Sequence, residues 1–211
     1  MALSMAACVP REAAPAIESV GEIVEFGNWR GEPIAWRVLD IEDDRALLIS
    51  EDVLELRQYD GLERYYGERL SDADIDWNSV SITWADSEIR AWLNDDFLSE
   101  AFSAGERRAI RLSEISNPDN PKYGTLGGRD TEDRVFLLSI DEAERYFASS
   151  SDRIARYEGE AWWWWLRSPG IGSSYAAIVS YNGDVYDDGY IVYSNYGVRP
   201  ALYINLESEN L

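Results

Sequence analysis

Residues 173–205 read SSYAAIVSYNGDVYDDGYIVYSNYGVRPALYIN. Short runs of apolar and aromatic residues are broken at close, regular intervals by Gly, Asn, Asp and Ser. This pattern predicts strands over 177–181, 184–186, 190–193 and 198–204, with turns at Asn182-Gly183, Asp187-Asp188-Gly189 and 194–197. Asn182-Gly183 predicts a type I′ hairpin turn, whose two central positions both take positive φ. A segment of this kind belongs to an antiparallel sheet.

The same window has an unusual composition. Fifteen of the 24 residues from Ser173 to Tyr196 are Ser, Tyr, Asn or Asp, and six of the chain's 13 tyrosines lie there. Ala177, Val179, Gly183, Val185, Gly189, Val192 and Gly197 sit between them and read as scaffold. Thirteen of the other positions are the expected ligand-binding residues: Ser173, Ser174, Tyr175, Ser180, Tyr181, Tyr186, Asp187, Asp188, Tyr190, Tyr193, Ser194, Asn195 and Tyr196. Tyr offers a large amphipathic contact at low entropic cost, and Ser, Asn and Asp add adaptable hydrogen bonds. Strand propensity explains Tyr and Val in strands, but not the near absence of Thr, Lys and Glu.

Upstream stand Trp162-Trp163-Trp164-Trp165. Four consecutive residues of a strand cannot all face one side, so at least half are expected in the core and one at the rim of the binding surface. Further back, Val135-Phe136-Leu137-Leu138 predicts a short buried strand, followed by a capping box at Ser139-Ile140-Asp141-Glu142 that opens a helix bearing Ala143, Tyr146 and Phe147. Residues 113–134 carry Pro and Gly signals and read as a long loop. Ile89, Trp92 and Leu93 fall on one helical face, with Thr83 or Asp86 as cap and the apolar surface continuing to Phe97, Leu98 and Phe102. Residues 55–82 have no clear period and read as irregular. From Ile23 to Ile49, period-two alternation with turns near Gly27 to Pro33 and at Glu42-Asp43-Asp44 predicts an antiparallel meander. The fold class expected is α+β, with antiparallel sheets and hairpins and two to three helices. Residues 19–206 are expected to form a single domain, between a tail over 1–18 and another over 207–211.

Composition removes whole classes of chemistry. The chain has no His and one Cys, Cys8. His-based acid–base catalysis, Ser–His–Asp and Cys–His nucleophiles, Cys/His zinc sites and an internal disulfide are therefore excluded. No catalytic residue, no cofactor and no metal are expected. An enzyme built from carboxylates, such as a glycoside hydrolase, stays open as an alternative, as does a structural module of a surface assembly. Asp72, Asp74, Asp76 and Asn78 imitate the start of a calcium loop. An EF-hand would need Gly where Trp77 stands and Glu where Thr83 stands. A looser calcium site there, or around Asp130, Glu132 and Asp133, is less expected than solvated acidic loops.

Forty acidic residues against 19 basic ones give a formal charge of −21. Such a field repels phosphate backbones, so no nucleic-acid partner is expected. No run of about 18 apolar residues exists, so no membrane insertion is expected. Met5-Ala6-Ala7-Cys8 imitates the end of a lipoprotein signal, but the apolar stretch before it is short and no basic segment precedes it. Localisation stays open between cell surface, secretion and a phage-encoded product.

Trp163-Trp164-Trp165-Leu166-Arg167-Ser168-Pro169-Gly170 and Gly197-Val198-Arg199-Pro200-Ala201-Leu202 resemble the end of a bacterial domain family of unknown function with a WWLRSPG…GVRPAL signature. Residues 82–93 and 135–139 fit the same family, so the resemblance spans roughly 20–206. It implies a C-type-lectin-like fold, shared by formylglycine-generating enzymes and by the variable proteins of diversity-generating retroelements. In such variable proteins, adenine-directed mutagenesis scatters Asn, Asp, Tyr and Ser through a C-terminal stretch before a fixed end motif. The likeness to the enzyme stops at the fold, because its chemistry needs C-terminal cysteines and this chain has only Cys8. The expected function is thus recognition of a protein or glycan ligand, with Arg167 and Arg199 as structural members of the fixed motifs.

Overall fold

A computed structural model describes residues 14–61, 76 and 79–206. Two five-stranded sheets carry the architecture. The first contains β1 (Ile23–Trp29), β2 (Glu32–Glu42), β3 (Arg45–Ser50), β7 (Val135–Phe136) and β14 (Ala201–Asn205), in the spatial order β1-β2-β3-β14-β7. The N-terminal meander is present as expected. Ile34, Trp36 and Val38 alternate into the core along β2, while Ala46 to Ser50 are buried on both faces because β3 lies at the centre of its sheet. Arg30 and Gly31, both at positive φ, close the first hairpin between Trp29 and Glu32, and this is a type I′ turn.

The second sheet contains β4 (Glu55–Gln58), β10 (Trp164–Pro169), β11 (Tyr175–Val179), β12 (Val185–Ile191) and β13 (Asn195–Val198), in the order β12-β11-β10-β13-β4. Its pairings are antiparallel except between β10 and β13, where Trp164 lies opposite Gly197 in parallel. Two-stranded ribbons complete the strands: β5 (Ser113–Ile115) with β6 (Thr131–Asp133), and β8 (Ala155–Tyr157) with β9 (Glu160–Trp162). One contiguous hydrophobic cluster joins both sheets and the helices.

The two signature motifs sit where the sheets are built and joined. All six residues of β10 are buried, in the middle strand of the second sheet. Only Arg199 and Pro200 separate β13 in one sheet from β14 in the other. The Arg199 guanidinium is the pin of that crossing. It donates to the carbonyls of Ser50 at 2.7 Å and Glu51 at 2.9 Å, between the rings of Phe147 and Trp164. Arg167 plays a similar part, forking onto Glu142 and donating to the carbonyls of Ser116 and Leu137. Both arginines are structural, as expected.

The helices number four among the described residues rather than two to three, if the two segments joined by a π turn are counted as one. Ile89, Trp92 and Leu93 are buried on one face. The cap is Ser87, whose hydroxyl accepts from the Arg90 amide, rather than Thr83 or Asp86. That helix, α1 (Glu88–Trp92), runs through a π turn (Leu93–Phe97) into α2 (Leu98–Ala101), which brings Phe97 inward. After α3 (Ala104–Ala109), the capping box at Ser139 and Glu142 opens α4 (Ile140–Tyr146) as expected, and α5 (Ser150–Arg153) follows.

Four local readings are corrected. Gly183 has positive φ but Asn182 does not, so this hairpin closes through the three-residue loop Tyr181-Asn182-Gly183, with Ser180 opposite Asp184. Asp187-Asp188-Gly189 is a bulge inside the continuous strand β12, not a turn. Residues 195–197, read as a turn, belong to β13. Glu55 to Gln58, read as irregular, form β4, because their partner is a strand some 140 residues later in the chain.

Candidate functional site

The face of the second sheet that carries Trp163 and Trp165 also carries Tyr186, Tyr190 and Tyr196. Strand pairing explains why. Trp165 is opposite Ile178, and Ile178 is opposite Tyr186; Ala176 is opposite Tyr190. Trp164 is opposite Gly197, so Tyr196 falls on the side of Trp163 and Trp165. Ile178 and Ala176, opposite Tyr186 and Tyr190, are both buried.

The rings form one connected cluster. Trp163 contacts Tyr181 at 5.6 Å, Tyr186 at 5.3 Å and Tyr196 at 6.3 Å between centroids. Tyr196 meets Tyr190 edge-on at 5.3 Å and Trp165 edge-on at 5.0 Å. The chain of rings continues inward through Tyr59 to Trp84. Edge-to-face pairs of this kind add roughly 0.5–1.5 kcal/mol each beyond buried area, so the surface rings are held in place from below. Tyr181, Tyr190 and Tyr186 nonetheless stay 56%, 48% and 40% exposed. Burial pushes the Tyr196 phenol up, and its neighbour Tyr190 adds to the rise.

The thirteen residues expected at the site divide by placement. Tyr181, Tyr186, Tyr190 and Tyr196 share the cluster, with Asp188 exposed on β12; Asn195 is exposed on β13 but, next to Tyr196, projects from the other side of the sheet. Asp187 turns instead to Lys122, at 3.3 Å. Tyr175 and Tyr193 are half-buried, and Tyr193 packs against the core. Ser174 and Ser180 are buried and cannot face a ligand: the Ser180 hydroxyl closes the hairpin with Asn182 and the Asp184 amide. Ser173 donates to the Val80 carbonyl at 2.6 Å, and the Ser194 amide closes a turn onto Ile191. The Ser180 hydroxyl fastens its hairpin and that of Ser173 ties two distant segments, roles that composition alone could not separate from surface serines.

Trp163 joins the cluster although it is not among the thirteen residues expected there. It is half-buried beside exposed Trp162 and fully buried Trp164 and Trp165, matching the expectation of at least two core indoles and one at the rim. Its position was legible only as a parity argument, because the register against β11 decides which indole reaches the tyrosines.

The acidic candidates are also resolved in part. Asp133 is buried and accepts from Trp84 Nε1 at 2.9 Å, Thr131 at 2.7 Å and Arg90 at 2.8 Å, so it is an anchor and not a solvated loop residue. Asp130 accepts from the Asn117 amide. The calcium-like run lies outside the described residues apart from Asp76. Among the described residues, no group of three or more Asp, Glu, His or Cys is placed to hold a metal ion. Among them too, no helix is long and apolar enough to cross a membrane.

Fold and face together define a sheet-rich α+β protein that presents clustered tyrosines on one sheet. The chain belongs to the family described as domain of unknown function DUF6273, whose model matches residues 43–206. No curated protein and no solved structure matches it.

Proposed function

We propose that this protein is a target-recognition protein, not an enzyme, and that its ligand surface is the cluster of Tyr181, Tyr186, Tyr190 and Tyr196 over Trp163. The observation that carries this reading is the combination of exposure and rigidity: three of the phenols stay 40% or more exposed, although each cluster ring is braced by a neighbour. Anchors of this sort contribute most to binding, because little entropy is lost when a partner immobilises them. Asp188, exposed on the same strand as Tyr186 and Tyr190, supplies a polar contact beside the rings. A protein or glycan surface is the expected ligand class.

The resemblance to C-type-lectin-like variable proteins belongs to the same proposal. Side chains facing solvent on β12 and β13 can change while Gly183, Gly189 and Gly197 hold the backbone, since a Cβ at each would meet backbone atoms at 1.7, 2.1 and 2.7 Å. Two experiments test this. Glycan and protein arrays probed with the whole chain should yield a ligand whose capture is lost on combining Tyr186→Ala with Tyr190→Ala; undiminished capture contradicts the assignment of the face. Sequencing around the gene should find a near-identical template copy of the segment coding for 162–202 and a reverse transcriptase. Their absence removes the retroelement and leaves a binder of fixed specificity.

A further inference from the structure

A second site adjoins the tyrosine face, at the β4 edge of the same sheet, where Arg57 is the strand partner of Tyr196. The turn of the first hairpin, strand β4 and helices α1 and α2 surround a concavity of about 440 Å³. Trp29 and Trp92 line it, edge to face at 5.7 Å. The Arg30 guanidinium lies 5.8 Å from the Trp29 ring and that of Arg57 lies 4.3 Å from the Trp92 ring. Both cations turn to one carboxylate: Glu55 Oε1 accepts from Arg30 at 2.9 Å and stands 3.9 Å from Arg57. Glu100 adds a second carboxylate to the lining.

Two polar atoms of this lining are buried without a hydrogen-bond partner among the described residues. They are Glu55 Oε2 and Trp29 Nε1. A buried carboxylate oxygen and a buried indole N–H each lose water, and folding rarely leaves them unpaired. Their needs are opposite: the oxygen requires a donor and the N–H an acceptor. Two guanidiniums and two carboxylates around the space balance in charge, so the complementary ligand is neutral overall yet carries both signs. The arginines occupy the neighbourhood of both indole rings, which disfavours stacking of a sugar ring there.

We propose that this concavity binds a small zwitterion, an α-amino acid or a molecule with the same adjacent ammonium and carboxylate groups. The ammonium donates to Glu55 Oε2. The carboxylate accepts from Trp29 Nε1 and from Arg30 or Arg57. None of the four cluster tyrosines lines this concavity, so its occupancy is tested separately from theirs.

Calorimetric titration of the whole chain with free α-amino acids, their N-acetyl and carboxamide derivatives and neutral hexoses tests the assignment. The expected result is saturable binding of at least one free amino acid, weakened about tenfold or more by either blocking group, as loss of a charged hydrogen bond implies. Glu55→Gln should cost about tenfold by removing the anionic acceptor, and Trp29→Phe should weaken binding while keeping an aromatic ring. Tyr186→Ala should leave it unchanged. Melting curves establish which variants are folded, and if Glu55→Gln does not fold, Trp29→Phe and the blocked ligands decide. Absence of saturable binding by all free amino acids, equal binding of the N-acetyl forms, or binding of hexoses alone overturns the proposal.

Discussion

Arg199 shows how one side chain can hold two sheets together. Burial lowers its guanidinium to about 10 from the ordinary 12.5, and the group still carries its charge at neutral pH. Arg199→Met should lower stability by about 3 kcal/mol or more in urea melts, because the Ser50 and Glu51 carbonyls lose their donor. A loss under about 1 kcal/mol would contradict the role given to it. Tyrosines give a second handle. Burial raises Tyr203 to about 12 and raises fully buried Tyr59 further. Their folded forms hold the proton more tightly than the unfolded chain does, so their stabilisation is intact below pH 10 and is lost as pH rises through about 12. Arg199 acts in the opposite sense, but burial raises Tyr146 and Tyr196 as well, so four phenols oppose one guanidinium. Urea midpoints should therefore fall as pH rises above 10; a flat or rising midpoint contradicts this sign.

Among the elements, strand β12 carries most of the proposal. Its bulge at Gly189, with φ of 66°, lets the strand run continuously from Val185 to Ile191 past β11. A Cβ there would lie 2.1 Å from the Ala176 carbonyl oxygen, so Gly189→Ala should destabilise by roughly 2 kcal/mol or more and disturb both flanking tyrosines. A variant as stable as the parent would show that the bulge is not required. Strands with their own periodicity, such as β2, and the capped helix at Ser139 were legible in the sequence because short-range chemistry decides them. Strand β4 and the strand-like course of Asp187 to Gly189 were not, because distant pairing overrides local turn propensity there. The same limit applied to the site. Tyr composition singled out the segment, but only register could place Tyr186 and Tyr196 together with Trp163 and send Asp187 to Lys122.

At the scale of the whole molecule, the two signature motifs and the tyrosine face divide the labour. Trp164, Trp165, Arg167 and Arg199 are buried and build the frame, while Tyr181, Tyr186 and Tyr190 contribute mainly to the outer surface. Loss of the exposed phenols should therefore cost little stability and much binding. The most direct measurement is the affinity of the array-selected ligand for the parent chain and for the Tyr186→Ala, Tyr190→Ala double variant, with melting temperatures taken on the same samples. Two anchors of this type should account for about 2–4 kcal/mol of binding, a loss on the order of a hundredfold, with the melting temperature within a few degrees of the parent. Affinity preserved within about twofold in a folded double variant would contradict the tyrosine face as the recognition surface.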